Sequence, residues 1–350
     1  MADEHGEAGF ALVLTLVVIL VLSLVTELMT SWVTTALDQA LVNREEADAT
    51  RELAGAEAVS VYLLVSRPVS YRGIELLTIA QHRSAAARGG LLEGVPSAEN
   101  YIRLDDHPYQ LGDAVARFQD MRGLINLNLV SPDDLFALLG LFGVAVEDRG
   151  PLIDKLLDYT DADSLKRLNG AEAREYEDAG REPPANAPLR TPWEVQRILD
   201  WDKVQEISKE DSRWASLTTA APVIGLNVNT APREVLSLIP GMTREAVDAV
   251  IAWRQRQPII TAVEFGRLTG LPVAEGPPSR FAPFPSNGLV LTLSTKQTPL
   301  ERRIAIRRTP IAEDQPWTID YDVAVPRAVR DGAETTPDDL PISGLFPATP

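Results

Sequence analysis

The chain has 350 residues, of which 45% are hydrophobic, and a formal net charge of −17 from 50 acidic against 33 basic residues. That hydrophobic share belongs to a folded chain long enough for more than one packed part, and the acidic balance repels phosphate backbones and anionic lipid, which argues against a nucleic-acid partner. Cysteine is absent, so disulfides and thiolate metal sites are excluded and any stapling ion must be a hard cation held by oxygen.

A polar stub ends at Gly9, and Phe10 to Thr26 carry no charge. No small-residue cleavage site closes this apolar run, as it would in a secretory signal. Glu27 to Val65 holds no proline and one glycine, Gly55, with Leu37, Leu41, Leu53, Ala58, Tyr62 and Val65 near helical spacing. A single helix of roughly 55 residues and about 80 Å is predicted, of which about 20 residues suffice to span a bilayer. By itself this describes a bitopic anchor. The stub carries Asp3, Glu4 and Glu7 but no Lys or Arg, and the first basic residue after the span is Arg44, so charge alone does not orient it.

Ser66-Arg67-Pro68 ends the helix, a loop-rich stretch through Arg88-Gly89-Gly90 and Pro108 follows, and Tyr109 to Met121 reads as strand. Gly123-Leu-Ile-Asn126-Leu-Asn128 then returns as Gly225-Leu-Asn227-Val-Asn229. Each N-x-N pair precedes a helix start with an early proline, at Ser131-Pro132-Asp133-Asp134 and Thr230-Ala231-Pro232-Arg233-Glu234, where Ser and Thr are capping candidates. Helices are predicted at 135–141, 152–159, 192–199, 235–239, 244–256 and 265–268, the last opened by a Thr261-x-x-Glu264 capping box, in an all-helical region from about 131 to 275. After a proline-rich exit, Leu289 to Leu293, Arg303 to Ile306 and Trp317 to Val323 read as strands, and the tail from Pro326 shows neither period.

Three carboxylates, Asp158, Asp161 and Asp163, fall within six residues at a predicted helix end, with Glu172 returned by the Asn169-Gly170 turn. Such oxygens suit calcium at about 2.3 to 2.6 Å, but the spacing is not an EF-hand loop, and the residues by themselves read more readily as a solvated acidic helix end. Residues 235–254 look like a helix-hairpin-helix, whose DNA-binding use is disfavoured by Glu234, Glu245 and Asp248. No catalytic set stands out: His82 and His107 lack motif context, and Trp193, Trp201, Trp214 and Trp253 are spaced as core or interface anchors.

The short leader ending in Gly9, the aromatic Phe10 and the half-apolar helix with Asn43-Arg44 and Leu53-Ala-Gly-Ala-Glu-Ala58 resemble the type IV pilin and pseudopilin class. Leu14 stands where most members carry glutamate at the fifth mature residue, and this, with the Gly-Leu-Ile-Asn-Leu-Asn and Leu-Asn-Val-Asn-Thr-Ala-Pro segments, is similar to the minor pseudopilin K of type II secretion. The resemblance implies an α+β, pilin-like fold in which a long N-terminal transmembrane helix precedes an antiparallel sheet interrupted by a large all-helical insertion. It divides the chain into a leader (1–9), the long helix (10–66), sheet (67–130), inserted helical domain (131–280), sheet (281–324) and flexible tail (325–350). It further implies prepilin-peptidase cleavage between Gly9 and Phe10, calcium at Asp158, Asp161, Asp163 and Glu172, and a non-enzymatic role capping the pseudopilus tip. The implied partners are I-like and J-like pseudopilins and the inner-membrane secretion platform, with the soluble part in the periplasm. The rival readings are a membrane-tethered DNA receptor and a minor pilin of a type IV pilus.

Overall fold

The computed structural model describes residues 4–76, 101–204, 207, 213–272, 281–312, 314–327 and 336–340, with the backbone alone for 4–11. The chain divides into two compact units, Met1–Arg51 and Glu52–Pro350. Helix α1 runs unbroken from Glu4 to Ser66, as the absence of proline permits. In the first unit Leu12 to Val25 keep between 46% and 68% of each large apolar side chain exposed. A helix apolar all round with no protein against it suits lipid, and among the described residues this is the one helix long and apolar enough to cross a membrane.

The second unit centres on a six-stranded sheet of order β10-β9-β8-β5-β4-β11, formed by β4 (Asp105–Leu111), β5 (Ala114–Asp120), β8 (Gly288–Thr295), β9 (Leu300–Arg308), β10 (Trp317–Pro326) and β11 (Asp338–Asp339). The strand expected over 109–121 is thus a hairpin turning at Gly112 (φ 64°). All pairings are antiparallel except β11 with β4. Strand β5 alternates, and its Ala114, Ala116 and Phe118 join Leu289, Leu291, Leu293, Ile304 and Ile306 in a core against Ala56, Leu63 and Leu64 of α1. The opposite face carries Val290 and Ala305 under Met121, Leu124 and Ala221, and Val325 under Trp193 and Ala215. Both faces are covered, so β8 is buried nearly throughout and reads as a continuous apolar run rather than an alternating one.

The structure departs from several expectations. The loop-rich stretch after α1 contains a three-stranded sheet of β1 (Val69–Ser70), β2 (Gly73–Glu75) and β3 (Tyr101–Ile102); Arg88-Gly89-Gly90 and His82 lie outside the described residues. In the tail, 338–339 form a strand because Leu340 is buried in the sheet's core. On α1 the side facing the sheet is Ala56, Ser60, Leu63 and Leu64, while Ala58 and Tyr62, two of the residues at helical spacing, face outward. Ala58 lies two residues from Ala56 and from Ser60, about 160° around the helix, so it and Tyr62 sit on nearly the opposite face.

Between β5 and β8 the chain forms α2 (Pro132–Leu141), α3 (Val146–Thr160), α4 (Ala173–Asp178), α5 (Arg213–Leu217), α6 (Arg233–Ser237), α7 (Arg244–Arg254) and α8 (Ala262–Thr269). They share one core that includes Leu138, Phe142, Leu156, Trp201, Trp214, Val235 and Phe265. The region is not wholly helical, since β6 (Ile125–Asn126) and β7 (Thr218–Thr219) pair in parallel. Helix α3 starts six residues before the predicted one, with Pro151 inside it, and 192–197 is a 3-10 helix. Ser131 caps α2 by accepting from the Asp134 N–H at 3.2 Å. Thr230 does not cap α6, whose N-cap is Pro232.

Candidate functional site

The acidic loop grows from the end of α3. Leu152, Ile153, Leu156 and Tyr159 face the core, and the same packing carries Asp158 inside, where its side chain is 0% exposed. Its compensation comes from Arg167, nine residues on. The Arg167 backbone N–H donates to Asp158 Oδ2 at 3.1 Å, and its Nη1 donates to Asp158 Oδ1 at 2.5 Å and to Asp161 Oδ2 at 2.6 Å. Both carboxylates hold the guanidinium pKa above its ordinary value, hydrogen bonding to Asp161 first. The backbone of Gly170 lies so close that a Cβ there would fall 1.8 Å from Asp158 Oδ2.

The other two predicted acids divide. Asp163 accepts the Leu165 N–H at 2.8 Å. Glu172 is buried, and loss of water, then the charges of Asp158, Asp161 and Asp163, push its carboxyl up. Lys166 Nζ pairs with Glu175 at 2.7 Å and, with the Glu172 N–H, holds that carboxyl down to about 2. The loop thus uses the Lys166-Arg167 dipeptide as its own counter-charge, a signal legible in the sequence that an inventory of acids passes over.

This arrangement does not fit a calcium ion. Calcium takes six to eight oxygens, and the described residues offer no group of three or more Asp, Glu or His side chains disposed to hold a metal. Asp161 Oδ1 and Glu172 Oε1 are buried without a hydrogen-bond partner, but the space between Asp158 and Asp161 is filled by a cation of the chain itself.

The duplicated N-x-N pairs form matching ties. In each copy the first asparagine's Oδ1 accepts the N–H two residues on at 3.0 Å, from Asn128 and from Asn229. The second asparagine grips a distant loop with both ends of its amide. Asn128 accepts from Leu189 N–H and donates to Leu189 O and Ala220 O; Asn229 accepts from Ile259 N–H and donates to Ile259 O and Pro283 O. Asp120, which no motif in the sequence marks, joins this network. Buried at the end of β5, it accepts from Arg122 N–H, Asn227 Nδ2, Thr230 Oγ1, and the N–H and Oγ of Ser286. The Thr230 hydroxyl is spent there rather than on a helix cap.

The hairpin of α6 and α7 turns at Gly241 (φ 82°), and its Arg233 pairs with Asp248 at 2.5 Å. Arg254 Nη1 donates to Val228 O and Ala231 O at 3.0 and 2.6 Å, back to the second N-x-N copy. The tryptophans are anchors: Trp201 and Trp214 lie edge to face at 5.8 Å, Trp193 meets Tyr321 at 5.3 Å, and Trp253 is partly buried against the same core. His107 pairs with Asp338 at 2.8 Å.

On α1, Glu57 accepts from Arg302 Nη1 at 2.6 Å, and Arg302 also pairs with Asp322 of β10. This fixes which way the Leu53 to Ala58 segment faces. Ala54, Gly55 and Ala58 form an exposed strip of small residues beside the exposed Tyr62, and a Cβ built on Gly55 meets nothing within 4 Å. Leu14 is 54% exposed; Gly9 and Phe10 lie within α1, their side chains outside the described residues.

Against known proteins, residues 226–283 match the family described as type II secretion system, protein K. A solved structure, the crystal structure of the GspK-GspI-GspJ complex from the enterotoxigenic Escherichia coli type 2 secretion system, contains a similar chain. The two are 16% identical over 63% of this chain and 82% of that one, with a TM-score of 0.42. No curated protein matches the sequence. The matched segment holds the second N-x-N tie, the α6–α7 hairpin and α8, and it is through these elements that the chain is similar to the type II secretion system protein K family.

Proposed function

We propose that the chain is a minor pseudopilin of the K type, a non-enzymatic subunit that caps the tip of a type II secretion pseudopilus and helps to start its assembly. The observation that carries this reading is the protein K segment on the same chain as an N-terminal helix apolar enough to anchor in a membrane. Prepilin peptidase cuts after Gly9, leaving Phe10 first in the inner membrane and the second unit in the periplasm. Leu14, in place of glutamate, suits a subunit with none above it. The exposed strip of Ala54, Gly55 and Ala58 lets another helix approach closely, as small side chains do, and I-like and J-like pseudopilins are the partners it serves. The test is co-purification of the membrane-extracted protein with those two subunits, with mass spectrometry of its N-terminus. Phe10 as first residue and a three-subunit complex are expected. An intact leader or a cut beyond Thr26 removes the pseudopilin reading, and label repeating along the shaft of the fibre removes the cap.

A further inference from the structure

We infer that Arg167 is the resident cation of the acidic loop, and that this chain completes the loop without calcium, whether or not it is a pseudopilin. The geometry is specific. Arg167 binds Asp158 with both its backbone N–H and its guanidinium and reaches Asp161 with the same Nη1. A calcium ion bound to those oxygens would lie about 2.3 to 2.6 Å from them, in the space the guanidinium nitrogen fills at 2.5 and 2.6 Å. The two cations compete for one position, and leaving Arg167 beside a divalent ion would set like charges together.

The rest of the loop closes around this pair using the chain's own groups. Asn169 donates twice to Asp154, Asn186 donates to the Asp163 carbonyl, and the Gly170 N–H returns to Arg167 O. Asp158 is fully buried whereas Arg167 keeps 38% of its side chain exposed. The carboxylate is therefore the fixed partner, and removing the arginine leaves a buried charge that needs another cation. Arg167→Gln is thus expected to convert an ion-independent loop into a calcium-dependent one.

The test is thermal unfolding of the full chain in detergent, in calcium chloride and in chelator. Wild type is expected to melt at the same temperature in both. Arg167→Gln should melt several degrees lower in chelator and recover in calcium, and Asp161→Asn/Arg167→Gln should recover less. A wild-type melting temperature that falls in chelator, or an Arg167→Gln protein indifferent to calcium, overturns the inference. Should Arg167→Gln not fold, calorimetric titration of wild type with calcium chloride decides the matter: no binding heat supports the resident arginine, and saturable binding that raises the melting temperature overturns it.

Discussion

Asn229 illustrates how one side chain holds two remote segments. Its amide makes three hydrogen bonds to backbone around Ile259 and Pro283 in a buried setting. Alanine there strands backbone groups that water cannot reach, at roughly 1 to 3 kcal/mol for each unsatisfied group. Asn229→Ala should therefore destabilise by about 3 kcal/mol in denaturant melts, and Asn128→Ala, its counterpart, comparably. A loss under about 1 kcal/mol, the net worth of a single ordinary hydrogen bond, would mean that the ties are not structural. The repetition of N-x-N was plain in the sequence, but its purpose was not, because the partners lie 30 to 92 residues away. Asp120 was invisible for the same reason: a lone aspartate after an alternating strand looks like any turn residue until Asn227, Thr230 and Ser286 converge on it. For the acidic loop, the spacing of Asp158, Asp161, Asp163 and Glu172 marks a cluster of acids, yet only the folded chain reveals which cation lies between Asp158 and Asp161.

Among elements, the strands after the helical region and α2, α6 and α7 were legible because apolar period and proline placement agree. The short strands β1, β2 and β3 were not, since two or three residues carry no period and owe their conformation to pairing. The C-terminal turns of α1 give the sharpest test at this scale. Glu57, held by Arg302, and Leu63, buried in the core, fix one side of the helix against the sheet and leave Gly55 outward with open space. Gly55→Trp should fold at least as stably as wild type, because glycine within a helix costs about 1 kcal/mol relative to alanine, yet should lose co-purification with smaller pseudopilins. Retained co-purification would move the partner surface elsewhere on the molecule.

At the level of the whole molecule, β5 and β8 are hydrogen-bonded neighbours, with Asp120 opposite Leu289, although the entire helical region separates them in sequence. The ends of that region are drawn together by Asp120 with Ser286 and by the Arg122 guanidinium on Phe284 O at 2.6 Å. This topology imposes an order of events on a chain emerging from its N-terminus. Contacts between close neighbours form cheaply, whereas joining β5 to β8 must close a very long loop. The β4–β5 hairpin therefore waits with one edge open while the helices gather their own core, and the sheet is sealed last. Pulse-labelled hydrogen exchange during refolding should find amides of α3 and α7 protected before those of β5, and earlier protection of β5 would reverse that order. The waiting strand has a biological corollary: until β8 and β9 arrive, the newborn chain presents an unpaired edge, the moment at which a chaperone or a wrong neighbour would find it.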